Sequence, residues 1–199
     1  MYCETEIERI LNFWFGESSE VSLDVQRCWW RKAPTFDAKI FELFASVHDH
    51  AVQGKCARWV ECAKGRLALI ILFDQFSRHL YRNTAQAYAH DEVALDLCLK
   101  GLDYGHDMRL KVFKRAFYYM PLMHAENLEY QEEALTRLRE LLDEVPSMQK
   151  DKISGFVRSA LRHCLVIEKF GRFPHRNVLL GRKNSAREEE FLKQPGSSF

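Results

Sequence analysis

Seven consecutive apolar residues, Leu67 to Phe73 (LALIILF), run straight into Asp74. With Phe76 they make a segment that is apolar nearly all round, which a helix tolerates only when most of its faces are buried. The run is far short of the ~20 residues needed to span a bilayer, so other parts of the same chain must cover it. The segment over 64–80 is therefore predicted as the central helix of a helical assembly. A carboxylate at the end of such a run needs a cation, because a buried unpaired one is protonated or strongly destabilising. Asp74, Arg78 and Arg82 are spaced by four and share one helical stripe if the helix continues that far. Either Asp74 and Arg78 form an internal pair that fixes packing, or Arg82 and one face of Arg78 are left for a ligand.

The rest of the chain repeats the helical period. Ile7, Ile10, Leu11 and Trp14 follow i, i+3, i+4, i+7 and stop at Gly16, predicting a helix over 5–15. Phe36, Ile40, Leu43, Phe44, Val47 and Ala51 give a second, with Thr35 as N-cap and Gly54 past its end. Further helices are predicted over 85–100 (ended by Gly101), 108–120 (ended by Pro121), 128–145 (ended by Pro146) and 150–170 (ended by Gly171). Val178 to Leu180 read as a turn, and Ser185 with Glu188 forms a capping box opening a last helix over 186–193. No segment alternates apolar and polar residues as a half-buried strand does. The class is all-α, with stacked antiparallel hairpins and about eight to nine helices. Only 9 glycines and 5 prolines occur, and no Ser/Gly/Pro linker precedes the tail, so residues 1–199 read as one domain. No fixed-period repeat stands out.

Charge removes several functions. Lys plus Arg number 29 against 28 Asp plus Glu, a net +1 that gives no overall field for gripping nucleic acid or an anionic membrane. The first residues are acidic and lead into an amphipathic segment without a signal core, which argues against export. The cysteines (Cys3, Cys28, Cys56, Cys62, Cys98, Cys164) are scattered with no CxxC, so neither a zinc site nor a redox dithiol is indicated. They read as free thiols in a reducing cytoplasm. No cofactor motif is evident.

Two further constellations carry chemistry. In MPLMHAE, Pro121 interrupts a helical pattern and places His124 and Glu126 just beyond it. His124 suits general acid/base work oriented by a carboxylate, or a plain capping or core role. In FGRFPHRN and the following Gly181-Arg182, the side chains of Arg172, His175, Arg176 and Arg182 crowd a loop shaped by Gly and Pro, with Asn177 placed to cap a turn. Guanidinium forks pair with carboxylate or phosphate, so an anionic ligand is one reading. The other has these arginines satisfying helix carbonyls and Asp74 or Glu126. His163 reads as a satisfied core histidine, His48 and His50 point to different helix faces, and Asp91 suits a helix N-terminus. Trp14, Trp29, Trp30 and Trp59 read as core or pocket wall, since no basic stripe interleaves with them.

Taken together, LALIILFDQFSRHLYRNTAQAYAHD (Leu67 to Asp91), MPLMHAEN (Met120 to Asn127), FGRFPHRNVLLGR (Phe170 to Arg182) and the terminal SSF resemble an uncharacterised bacterial family, domain of unknown function 924, over nearly the whole chain. The resemblance implies a tetratricopeptide-like right-handed superhelix, a cytoplasmic protein, no established activity and a packed last residue. Its motif residues here are Asp74, Gln75, Arg78, Tyr81 and Asp91, then Pro121, His124 and Glu126, then Gly171 to Asn177 with Gly181 and Arg182. The chain departs from the pattern at Ser77, where proline is usual, at His79, where asparagine is usual, and at Asn127, where an acid is usual. The leading expectation is that Asp74, Arg78, His124, Glu126, Arg172, His175 and Arg176 converge on one polar pocket for a small anionic molecule, with acid/base hydrolysis as the only chemistry to name. The competing expectation is a helical-repeat module that holds a protein or peptide partner and uses the polar residues as struts.

Overall fold

The computed structural model describes residues 2–17, 27, 29 and 33–198, which contain helices and no strand. Cys28, Trp30 and Phe199 lie outside the described residues. The chain divides into two compact units, Met1–Arg82 with Gln86–Pro121 and Asn83–Ala85 with Leu122–Phe199.

The first unit contains α1 (Tyr2–Phe15), α2 (Pro34–Val52), α3 (Ala63–Ile70), a π-helical stretch at Ile71–Phe76, α4 (Ser77–Leu80), α5 (Asp91–Asp103) and α6 (Val112–Tyr118). The π stretch joins α3 to α4 without interruption, so the apolar run forms one rod over 63–80, as the sequence predicts. Leu67, Ala68, Ile70, Ile71, Leu72 and Phe76 are completely buried, because α1, α5 and α6 pack on α3 while α2 and α5 cover the π stretch. Burying each of these leucine, isoleucine and phenylalanine side chains contributes roughly 1.5–3 kcal/mol. Trp14 packs edge-on against Phe76 and Phe117 with ring centroids 5.5 and 5.6 Å away, and Trp29 Nε1 donates to the Trp14 carbonyl. The tryptophans Trp14, Trp29 and Trp59 are thus core. Gly65 is needed where it is, since a Cβ there would lie 2.3 Å from the Trp59 carbonyl oxygen.

Three local readings change. The N-cap of α2 is Ala33 rather than Thr35, because Pro34 takes the first helical position, where its missing N–H costs nothing. The expected helix over 85–100 begins as a tight turn at Ala85–Tyr88 and becomes α5 only at Asp91, then runs through Gly101 to Asp103. Gly101 makes room: a Cβ on it would meet the Tyr118 hydroxyl at 1.7 Å and Arg66 Cδ at 2.5 Å. Pro121 does not end a helix but sits in the first turn of α7 (Met120–His124).

In the second unit, α8 (Leu128–Glu144) and α9 (Ser147–Phe170) are joined by two residues and pack against each other as a hairpin. Asn127 caps α8 by accepting the Tyr130 N–H. Gly171 closes α9 in the left-handed region at φ +68°, as predicted. The capping box is present: Ser185 Oγ accepts the Glu188 N–H and the Glu188 carboxylate accepts the Ser185 N–H, opening α10 (Ala186–Leu192).

Candidate functional site

Asp74 lies on the π stretch and is completely buried. Gln75 Nε2 donates to its Oδ2 at 2.5 Å, and the Arg78 guanidinium stands 3.3 Å from its Oδ1. The same guanidinium donates two bonds to Asp91, at 2.9 and 3.0 Å, and lies over the Tyr88 ring. Burial opposes the charge on Arg78, but Asp74 and Asp91 more than offset it and hold the guanidinium firmly protonated. Asp91 thus serves as an arginine clamp as well as an acidic residue in the first turn of α5.

Arg82 does not share the Asp74–Arg78 stripe, because α4 ends at Leu80. Its guanidinium forks onto Asp37 of α2 at 2.6 and 2.7 Å, and His79 Nδ1 reaches the same carboxylate at 2.7 Å. Burial raises the Asp37 carboxyl, yet the bonds from Arg82 and His79 win and hold it below its ordinary value. Sequence reasoning missed Asp37, whose only local signal was that of an acid in a first helical turn.

In the second unit Glu126 Oε1 accepts from the Phe173 N–H at 2.7 Å and from Arg182 at 2.9 Å, while Oε2 accepts from Arg182 at 2.5 Å. Burial raises this carboxyl; Arg182, the Phe173 N–H and the charge of Arg176 outweigh it and leave it below its ordinary value. Arg182 Nε also donates to Asn177 Oδ1, and Asn177 Nδ2 donates to Asn184. Arg172 forks onto Glu188 at 2.6 and 2.8 Å and bonds the Lys183 carbonyl. Arg172 first, with Ser185 and Asn177, holds the Glu188 carboxyl far below the usual carboxylate range. This ladder fixes the loop after α9. Glu188 was legible only as a capping-box acid, not as the partner of Arg172.

Beside the ladder, nitrogen-bearing side chains gather around Phe173. Its ring lies 5.4 Å from His163 and 5.7 Å from His175, and the Arg176 guanidinium stands 4.4 Å from the ring centre. His124 lies 5.9 Å from His163. His163 Nδ1 donates to the Ser159 carbonyl, the satisfied arrangement the sequence suggests. Burial first, then the neighbouring His124, Arg176 and His175, push His163 well below the ordinary histidine value, so it is neutral at pH 7.

Of the seven residues expected to converge, Asp74 and Arg78 belong to the first unit and the other five to the second. Within the units the structure joins Asp74 to Arg78, and His175 and Arg176 to Phe173; Glu126 and Arg172 take Arg182 and Glu188 as partners. Among the described residues no group of three His, Cys, Asp or Glu could hold a metal ion, and no helix is long and apolar enough to cross a membrane. Cys56, Cys62, Cys98 and Cys164 form no disulfide.

The family model described as "Bacterial protein of unknown function (DUF924)" matches residues 10–196, which include the three internal motifs above but not the terminal SSF. The chain belongs to the DUF924 family. No curated protein matches it. Among solved structures it is similar to the Protein of Unknown Function ATU0120 from Agrobacterium tumefaciens, with 29% identity over 96% of this chain and 98% of that one and a TM-score of 0.81. Ser77 Oγ bonds His48, His79 bonds Asp37, and Asn127 caps α8.

Proposed function

We propose that this protein binds a small anionic molecule, a carboxylate or phosphate, at the His124, His163, His175 and Arg176 cluster of the second unit. The observation that carries the reading is the gathering of the Arg176 guanidinium and the His163 and His175 rings around Phe173, with His124 beside His163; a guanidinium flanked by imidazoles suits a carboxylate or phosphate. His175 is half-exposed and gives access. Arg78, Arg82, Arg172 and Arg182 are assigned to structure, since each already holds a carboxylate. Glu126 is likewise assigned as a counter-ion to Arg182, which favours binding over acid/base hydrolysis by His124, Glu126 and His175. Cysteines that form no disulfide support a cytoplasmic setting.

Those same ion pairs favour a second reading, a tetratricopeptide-like module for a protein or peptide partner in which the polar residues are only struts. Thermal unfolding with inorganic phosphate and with citrate separates the two. At a hundredfold excess over Kd the anion reading expects a rise of about 5–10 °C, larger at pH 6 than at pH 8 and lost in His175→Ala and Arg176→Gln. No rise with either anion favours the strut reading.

A further inference from the structure

Arg66 of α3 is only 4% exposed, yet among the described residues no carboxylate stands within ion-pair distance of it. Its donors go to neutral acceptors instead. Nη2 bonds the Val60 carbonyl at 2.9 Å, Nη1 the Leu97 carbonyl of α5 at 3.2 Å, and Nε bonds His106 Nδ1 at 3.2 Å. An arginine can only donate, so the last of these fixes Nδ1 as the lone-pair nitrogen of a neutral imidazole. His106 is 5% exposed and opens the tight turn Asp107–Arg109, which lies between α5 and α6. The Arg66–His106 bond ties that turn to α3, while the Tyr119 hydroxyl, donating to Asp107 at 2.8 Å, ties it to the end of α6. Tyr104 and Met108 beside it are exposed, so apolar burial does little to hold it.

A proton on Nδ1 takes away the acceptor of Arg66 Nε and sets a second cation against a buried guanidinium. From α3, Arg66 faces the imidazole; from the end of α5, the Tyr104 ring lies 5.8 Å away; from the turn itself come Arg109 and Asp107. From α6 the Tyr118 hydroxyl is buried near Arg66, and Arg115 and Tyr119 are directed at Asp107. Among these only Asp107 favours a charged His106. Burial first, then Arg66 and Arg109, outweigh it and hold His106 below the ordinary histidine value of 6.5. A His106 released to water regains that ordinary value, so the released turn binds the proton more tightly than the closed one. The closed turn is therefore fully favoured above about pH 6.5 and loses ground as pH falls below it. We propose that His106 is a pH-sensitive latch: neutral, it holds the turn over 104–110 against Arg66, and protonated, it releases the turn from α3 while the first unit stays folded. This device is independent of the anion reading.

The test is amide hydrogen exchange of the whole protein, each rate corrected for the intrinsic rate at its pH. The reporting amides close the turn: His106 N–H on the Gly101 carbonyl, Arg109 N–H on the His106 carbonyl and Leu110 N–H on the Asp107 carbonyl. Their protection is expected to fall at least about tenfold between about pH 7.5 and about pH 5, with the midpoint at which the His106 ring resonances titrate. The amides of Leu69 and Ile70 in α3 report opening of the whole unit, and they are expected to fall by less. In His106→Asn the amide oxygen replaces Nδ1 as acceptor and takes no proton, so the loss of protection specific to the turn disappears. Protection unchanged between the two pH values, a loss matched at Leu69 and Ile70, a midpoint apart from that of the His106 ring, or an equal loss in a folded His106→Asn each overturns the proposal. The midpoint comparison is made on the unaltered protein and decides even where the variant does not fold.

Discussion

Arg78→Met removes one guanidinium from between two carboxylates while keeping an unbranched stem of similar helix propensity. It leaves Asp74 fully buried and Asp91 only 16% exposed, neither with the cation that now neutralises it. Breaking a buried pair by deleting one partner costs about 3–5 kcal/mol, because the remaining charge stays where water cannot reach it. In a chain of this length each kcal/mol moves the melting temperature about 2–4 °C, so a fall of about 6–20 °C is expected. The second substitution isolates the cause. Asp74→Asn in the Arg78→Met background removes the stranded charge yet keeps an oxygen for the Gln75 amide, which now bonds Asp74 Oδ2, so most of the loss returns. Urea midpoints of the unaltered protein, both single variants and the double variant close the cycle. A loss under about 1 kcal/mol for Arg78→Met, as for an exposed pair, or simple additivity of the two substitutions, refutes the argument that Arg78 neutralises a buried Asp74.

Acid should weaken the first unit in a defined window. His48 titrates near 4 in the fold against 6.5 when unfolded, so between those values the unfolded chain binds more protons and stability falls as pH falls, by on the order of 3 kcal/mol. His163 adds a loss of the same sign, while Asp37, Glu126 and Glu188, held low, lose their contribution only below about pH 4; a urea midpoint that stays flat from pH 6.5 to 5 contradicts this. Gly101→Ala should destabilise by about 1–3 kcal/mol through overpacking against Tyr118 and Arg66, both buried. Helix propensity alone predicts a gain of about 1 kcal/mol, so the sign of the melting shift decides.

Where the sequence could be read, the reason is local. Gly16, Gly171 and the Ser185–Glu188 box mark helix ends because the backbone at those positions demands a left-handed residue or a side-chain cap. Asp74 and Arg78 were legible as a pair because four residues on one helix are neighbours. The failures come from partners that spacing does not reveal. Gly101 looks like a stop, yet it is the residue on which Tyr118 and Arg66 close, and only the packed fold brings them there. Arg82 carries the right spacing for the Asp74 stripe, but α4 ends two residues too soon and the guanidinium turns to Asp37, forty-five positions earlier. His48 reads as one of two unremarkable histidines. In the fold its Nε2 lies 2.9 Å from the Ser77 hydroxyl, a partner on another helix that spacing does not reveal. The pattern states that a charge or an imidazole needs a partner, and the fold determines whether that need is met from within. In this chain Arg82, Arg78, Arg182 and Arg172 have that need met by Asp37, Asp91, Glu126 and Glu188.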